Sequence, residues 1–193
     1  MPVVTRAMAA AQREAAAQRQ AGQHLRALAA LVHAPLGTDD AGVRAAMAAH
    51  PDVFTAFPPL LRQLYTVVGA PHAATGLGAP RAEWSTWTLC SLDDVVAEFQ
   101  RKRGWNPACV SVDFAWSYHG MGHYVVASLD VTRGQVYLRL DGGSNGWEQE
   151  LNFQLGASYK PTADDCHPVE WWLDLVRQGT GGEALVGQYV VPQ

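Results

Sequence analysis

The chain has 193 residues, of which 48% are hydrophobic and 17% are charged. That balance is typical of a folded domain with a core rather than of a disordered segment. The net charge of −4 provides no field that would attract nucleic acid or anionic lipid, and no apolar stretch approaches the roughly 20 residues that cross a bilayer. We therefore expect neither a nucleic-acid partner nor a membrane partner.

The cysteines and the N-terminus bear on the compartment. Cys90, Cys109 and Cys166 are odd in number, widely spaced and without a C-x-x-C pair, which argues against a zinc ribbon or a secreted disulfide scaffold. The first residues also lack the continuous apolar segment of a secretory signal. Together these features predict a protein of the reducing cytoplasm.

The chain divides into three parts. Residues 1–37 hold four Arg against one acid and predict an Ala-rich helical extension, because Ala, Gln and Arg favour helices. Residues 38–178 contain the periodic apolar segments of a folded α+β domain, and residues 179–193 follow as a C-terminal tail. Two alternatives stay open for the extension, an organellar transit peptide and an element for self-assembly.

Local signals place the first helices of the domain. Thr38-Asp39-Asp40 is an N-cap signal for a helix through Ala48, because its side-chain oxygens accept from free backbone N–H groups. Phe57-Pro58-Pro59 opens another helix, which Gly69 ends. The segment from Ala70 to Pro80 is rich in Gly, Pro and Ala and predicts an exposed loop.

The second half of the chain predicts a run of short strands. Apolar runs and alternation indicate strands at residues 84–90, 109–114, 124–129, 135–140 and 148–155. A helix that opens at Ser91 separates the first two strands, and a helix led by Pro168 follows the last. Since short connections favour antiparallel pairing, the expected fold is α+β: an antiparallel β-meander of about four to six strands with helices packed on it.

The most distinctive segment runs from His119 to Trp147 and is Gly-rich at both ends. His119 and His123, with Asp113 and Asp141, have the residue types of a small hydrolase or a metal-dependent enzyme. The structural interpretation is that the glycines permit tight strand ends and turns. We favour the structural interpretation, since a zinc site needs three or four converging ligands, and we expect no metal and no cofactor.

Several short motifs between about residue 50 and residue 178 carry a family resemblance. They are the helix Phe57-Pro-Pro-Leu-Leu-Arg-Gln-Leu-Tyr65, the strand from Trp84 to Leu92, Gly120-Met-Gly-His-Tyr124, Gly134-Gln-Val-Tyr137 and Pro168-Val-Glu-Trp-Trp-Leu173. In this order they resemble the SMI1/KNR4 (SUKH) superfamily. The resemblance implies an SMI1/KNR4-like α+β fold and a non-enzymatic binding module, as in immunity proteins that neutralise a toxin or in regulatory scaffolds.

That resemblance, with the aromatic content, predicts a binding face for a protein partner. Trp and Tyr are enriched at interface hot spots, and acidic residues would steer a basic toxin or effector toward them. The expected face comprises Asp113, Trp116, Tyr118, His119, His123, Asp141, Ser144, Asn145, Trp147, Glu148 and Glu150. The oligomeric state stays open.

Overall fold

The computed structural model describes residues 23, 26–32, 39–81, 84–120, 123–142 and 162–185. The helices are α1 (Asp40–Ala49), α2 (Pro51–Phe54), α3 (Pro59–Val68), α4 (Leu92–Trp105) and α5 (Val169–Arg177), and a 3₁₀ helix spans Gly182–Leu185. The strands are β1 (Thr75–Arg81), β2 (Trp84–Leu89), β3 (Ser111–Gly120), β4 (His123–Asp130) and β5 (Gln135–Gly142).

The five strands form one sheet whose spatial order, β1-β2-β3-β4-β5, follows the chain. All neighbouring strands pair antiparallel, and helices pack on the sheet. The predicted α+β class with an antiparallel sheet is therefore confirmed. Helix α4 enters between β2 and β3, so the connection there is longer than a hairpin turn.

The predicted helix boundaries follow from local capping. Asp39 accepts a hydrogen bond from the Gly42 N–H at 2.7 Å and begins α1. Ser91 accepts from the Asp94 N–H at 3.0 Å and begins α4. Gly69 ends α3 with a φ of 58°, a left-handed conformation that glycine adopts without a side-chain clash. All three signals were predicted from the sequence and are confirmed.

The prediction of an exposed loop over residues 70–80 is wrong from Thr75 onward, because strand β1 begins there, whereas residues 70–74 form the connection that precedes it. Leu77 is fully buried and lies opposite Trp87 of β2. Gly78 has a φ of 80°, and a Cβ at this position would come within 2.8 Å of the Val176 carbonyl oxygen. Small residues thus let α5 approach this strand closely, and an outer strand tolerates the proline. Composition alone suggested a loop, since the evidence for a strand lies in long-range packing.

Strand β3 extends beyond the predicted end at Phe114 and contains a β-bulge. Its pairing with β4 shifts between Asp113 and Ala115, so Phe114 is the extra residue. Phe114 and Ala115 are both fully buried. A bulge reverses the in-and-out alternation of the residues that follow it.

Backbone and side-chain donors hold this bulge. The Phe114 carbonyl accepts from the Cys90 N–H at 2.9 Å and from the Tyr65 hydroxyl at 3.3 Å. The same hydroxyl lies 3.1 Å from the Cys90 carbonyl oxygen. Burial raises the pKa of Tyr65 well above its ordinary value, so this hydroxyl keeps its proton. Helix α3 therefore fixes the end of β2 and the bulge of β3 together.

The hydrophobic core lies between the helices and one face of the sheet. Trp172 of α5 is fully buried, with its ring 5.7 Å from Trp87 and 5.0 Å from Phe114, both edge to face. Its Nε1 has no hydrogen-bond partner among the described residues. The α5 helix thereby packs against strands β2 and β3 of the sheet.

Two segments that lie outside the sheet form backbone hydrogen bonds with its outer strands, one with β1 and the other with β5. The Gly78 N–H donates to the Leu31 carbonyl at 2.8 Å, and Leu28 is fully buried. On the far strand, Val136 exchanges backbone hydrogen bonds of 2.7 and 2.8 Å with His167. The outer strands β1 and β5 are therefore bonded at these positions by neighbouring parts of the same chain.

The described part of the predicted tail, residues 179–185, also packs on the sheet. The Thr180 carbonyl accepts from Trp87 Nε1 at 2.9 Å, and the Gly182 N–H donates to Ser117 Oγ at 2.7 Å. Leu185 is fully buried. The helices of the described ranges include none with the length and apolarity needed to cross a membrane.

We predict that Tyr65→Phe lowers the free energy of unfolding by about 1 kcal/mol, because the buried hydroxyl no longer donates to the bulge while the Cys90 N–H still does. Tyr118→Phe is the matched control, since the Tyr118 side chain is exposed, and should stay within about 0.5 kcal/mol of wild type. Urea unfolding measures both. Equal effects of the two substitutions would contradict a structural role for the Tyr65 hydroxyl.

Candidate binding face

One face of the sheet carries mostly polar and aromatic side chains, of which Asp113, Val126, Ser128 and Tyr137 are buried. Residues directly opposite each other in antiparallel strands share a face, and three such rows cross β3, β4 and β5. We call these residues the outer face. Its rows are Tyr118–Tyr124–Asp141, Trp116–Val126–Arg139 and Asp113–Ser128–Tyr137.

The bulge at Phe114 assembles this face. In a regular strand, Asp113 would point to the side opposite Trp116 and Tyr118, because side chains alternate. The extra residue reverses the alternation, so all three lie on the outer face and Ala115 joins the core. The structure thus brings together four of the predicted face residues, since Asp141 of β5 completes the set.

Three aromatic rings lie in contact at one end of the outer face. The ring of Tyr124 lies 5.2 Å from that of Trp116 at an interplanar angle of 84°. It lies 5.7 Å from Tyr118 at 67°. Tyr118 has an exposed fraction of 48%, which is large for an aromatic side chain. We call Trp116, Tyr118 and Tyr124 the aromatic triad.

Four charged side chains, which we call the ion cluster, lie beside the triad: Lys102, Asp113, Arg139 and Asp141. Asp113 Oδ2 lies 2.7 Å from Lys102 Nζ and 2.6 Å from Arg139 Nη2. The other terminal nitrogen of Arg139 lies 3.0 Å from Asp141 Oδ2. The two positive and two negative charges are balanced, and the cluster joins α4 to β3 and β5.

The titration of Asp113 reflects these partners. Burial alone would raise the pKa of its carboxyl, but Arg139 and Lys102 outweigh burial and hold the pKa well below the usual range. Ser128 Oγ also donates to Asp113 Oδ1 at 2.6 Å. The sequence interpretation took Asp113 as an acid that a partner could reach. That is wrong, since its side chain is only 9% exposed and its carboxylate is engaged by Lys102, Arg139 and Ser128.

Two further groups near the cluster, Tyr137 and Cys90, keep their protons at neutral pH. The Tyr137 hydroxyl donates to Ser111 Oγ at 2.7 Å, and burial raises the pKa of Tyr137 to about 12. Burial also raises the pKa of the Cys90 thiol to about 12, and the negative charge of Asp113 adds to that effect. A thiol with so high a pKa holds almost no thiolate at neutral pH, so Cys90 is a poor nucleophile.

The structure describes the other predicted face residues only in part or not at all. Ser144, Asn145, Trp147, Glu148 and Glu150 lie outside the described residues. For His119 and His123 only the backbone is described: both belong to strands, and His123 pairs with Gly120 and Gly142.

Of the four residues named for the hydrolase or metal alternative, the structure describes the side chains of Asp113 and Asp141. No group of three or more His, Cys, Asp or Glu side chains in the described ranges is arranged to hold a metal ion. Two cations already contact the Asp113 carboxylate, which opposes a metal ion there. Asp113 and His119 also lie toward opposite ends of β3, on the order of 20 Å apart at the rise of an extended strand.

Sequence reasoning missed five residues of the outer face, Tyr124, Val126, Ser128, Tyr137 and Arg139, and one further member of the ion cluster, Lys102. Alternation along β5 could have placed Tyr137 and Arg139 on the face of Asp141, and alternation along β4 could have placed Tyr124, Val126 and Ser128 on one face. Lys102 carried no such signal, because its partner Asp113 belongs to another element.

Comparisons with known proteins give no match. No family model, no curated protein and no solved structure aligns significantly with this chain.

We predict that Asp113→Asn lowers the free energy of unfolding by roughly 3–5 kcal/mol, because two largely buried cations lose their shared carboxylate. Asp174→Asn is the matched control, since Asp174 forms an exposed pair with Arg177 and should cost no more than about 1 kcal/mol. Urea unfolding at neutral pH measures both. Similar losses in the two variants would show that the ion cluster is not a structural element.

Wild type and Asp113→Asn also test how the free energy of unfolding depends on pH. Because the folded-state pKa of Asp113 is lowered, its contribution is complete above the unfolded value of about 3.9 and is lost as the pH falls toward the folded value. The stability difference between wild type and Asp113→Asn should therefore narrow below about pH 4, by up to about 1.4 kcal/mol per pH unit. A difference that stays constant from pH 5 to pH 3 would contradict the lowered pKa.

Proposed function

We propose that this chain is a non-enzymatic protein-binding module that meets its partner through the outer face. The observation that carries the proposal is the aromatic triad, because it leaves Tyr118 about half exposed on an otherwise well-packed sheet. Exposed aromatic residues that sit on a rigid element are favoured anchors of protein interfaces, since they bury a large area at a small cost in entropy.

The ion cluster supports this role by fixing the triad in place. Arg139 lies in the same row as Trp116 and is held by Asp113 and Asp141. Charges that already have partners need not be reorganised when a partner docks, so they favour a preformed surface. The ion cluster is therefore neutral in sum, and the described rows of the outer face themselves carry two carboxylates and one guanidinium.

The biological role that we propose is that of an immunity or regulatory protein whose partner is a toxin or effector. It rests on the resemblance of the sequence motifs to the SMI1/KNR4 superfamily and on an α+β fold with an antiparallel sheet, which is compatible with that resemblance. Ser144, Asn145, Trp147, Glu148 and Glu150 belong to the proposed face on sequence grounds alone.

We predict that Tyr118→Ala reduces retention of a bound partner at least about fivefold, as expected for the loss of an aromatic anchor. The test is a pull-down from the source cells with wild type, Tyr118→Ala and Trp105→Ala, followed by quantification of each captured protein. Trp105 is the matched control, because it is 55% exposed but lies at the end of α4 and outside the sheet.

A supporting result is a protein retained by wild type and by Trp105→Ala but depleted with Tyr118→Ala. Equal retention by all three proteins would reject the outer face as the binding surface. Loss with both variants would indicate non-specific capture through exposed rings and would also reject it.

A further inference from the structure

The aromatic triad has a carboxylate beside it in the same row. Tyr118 lies opposite Tyr124 in the β3–β4 ladder, and Tyr124 lies opposite Asp141 in the β4–β5 ladder. Side chains at opposite positions of neighbouring strands have their Cβ atoms about 5 Å apart. The side chains of Asp141 and Tyr124 are therefore neighbours on the same side of the sheet.

The rings form a corner and not a flat stack. Trp116 and Tyr118 both contact Tyr124, at interplanar angles of 84° and 67°. Rings at such angles can offer more than one face to the same guest. Aromatic faces carry negative electrostatic potential and attract organic cations, and several rings around one cation form the known aromatic cages.

The most exposed charge of the ion cluster is negative, as a cationic guest requires. The cluster is balanced in total, but its members are unequally exposed. The side chain of Asp141 is 32% exposed, compared with 15% for Arg139 and 9% for Lys102. Asp141 is thus the most accessible member of the cluster, and both cations are already engaged by carboxylates.

An anionic guest fits this corner less well. It would have to reach Arg139 or Lys102 past the more exposed Asp141, and it would meet the negative faces of the rings. The net charge of the whole chain, −4, also favours a cationic guest over an anionic one.

We propose that the corner formed by Trp116, Tyr118, Tyr124 and Asp141 receives the cationic side chain of an arginine or lysine that a partner protein presents. The cation contacts the rings and forms an ion pair with Asp141, while the stem of the guest side chain covers the triad. This proposal rests on the proposed function, because it names the chemistry that the outer face recognises.

The experiment titrates the full chain with short capped peptides and follows backbone amides by two-dimensional NMR. The probes are Gly-Arg-Gly, Gly-Lys-Gly and Gly-trimethyllysine-Gly, each capped at both ends. Citrulline and acetyl-lysine peptides are neutral controls of nearly the same shape. We expect saturable shifts at Trp116, Tyr118, Tyr124 and Asp141 with the cationic peptides, and the order of affinity identifies which cation the corner prefers.

Variants then test each part of the corner. Asp141→Asn and Tyr118→Leu should each weaken the preferred peptide about two- to fivefold, the usual effect of one exposed ion pair or one cation–π contact. Asp174→Asn and Trp105→Leu are the matched controls and should bind like wild type. Tyr118→Leu changes an exposed side chain, so it keeps the test valid if Asp141→Asn fails to fold.

Three outcomes would overturn the proposal: neutral peptides that bind as well as cationic ones, shifts confined to other parts of the protein, or wild-type affinity in both corner variants. A partner whose capture depends on Tyr118 but not on Asp141 would reject the cation site and leave the proposed function standing. A partner whose capture depends on neither residue would reject both.

Discussion

One extra residue in β3 decides which side of the sheet carries its last side chains. The bulge at Phe114 is held by the Cys90 N–H and the Tyr65 hydroxyl, so helix α3 and the end of β2 determine its position. Without it, the alternation of β3 would turn Trp116 and Tyr118 toward the core. The outer face, the aromatic triad and the proposed binding function all depend on this local irregularity.

The ion cluster mainly fixes the relative positions of α4, β3 and β5, and it adds little net stability. A buried ion pair gains little net free energy, because the cost of removing its charges from water offsets their attraction. Lys102 nevertheless links α4 to β3, and Arg139 links β3 to β5. Each contact is satisfied only when these elements hold one relative position, so the cluster restricts the shape of the outer face, to which three of its members belong.

Features that depend on nearby residues could be predicted from the sequence, whereas features that depend on contacts between distant residues could not. The N-caps at Asp39 and Ser91 and the left-handed Gly69 depend on residues within one helical turn, and the sequence predicts them. Strand β1 was missed, because its strand character comes from pairing with β2 and from its contact with α5. The bulge was missed for the same reason, since its hydrogen-bond donors come from distant elements.

The candidate site shows the same limit. Trp116, Tyr118 and Asp141 were expected on one face from their chemistry, and the structure places them together. Asp113 was expected to meet a partner but is buried, because Arg139, the partner that offsets its charge, is 26 positions away in the chain. Charge alone indicates that an acid matters, whereas only the packing shows whether it is exposed or engaged.

The hydrogen bonds at the outer strands have a consequence for selectivity. Leu31 bonds to β1, and His167 bonds to β5, so a foreign strand could extend the sheet at these positions only after displacing part of the protein's own chain. Strand addition uses backbone groups that every sequence possesses and is therefore tolerant of sequence. Recognition through side chains on the outer face depends instead on which residues the partner presents. Under the proposed function, such recognition would distinguish closely related partners that differ at a single exposed position.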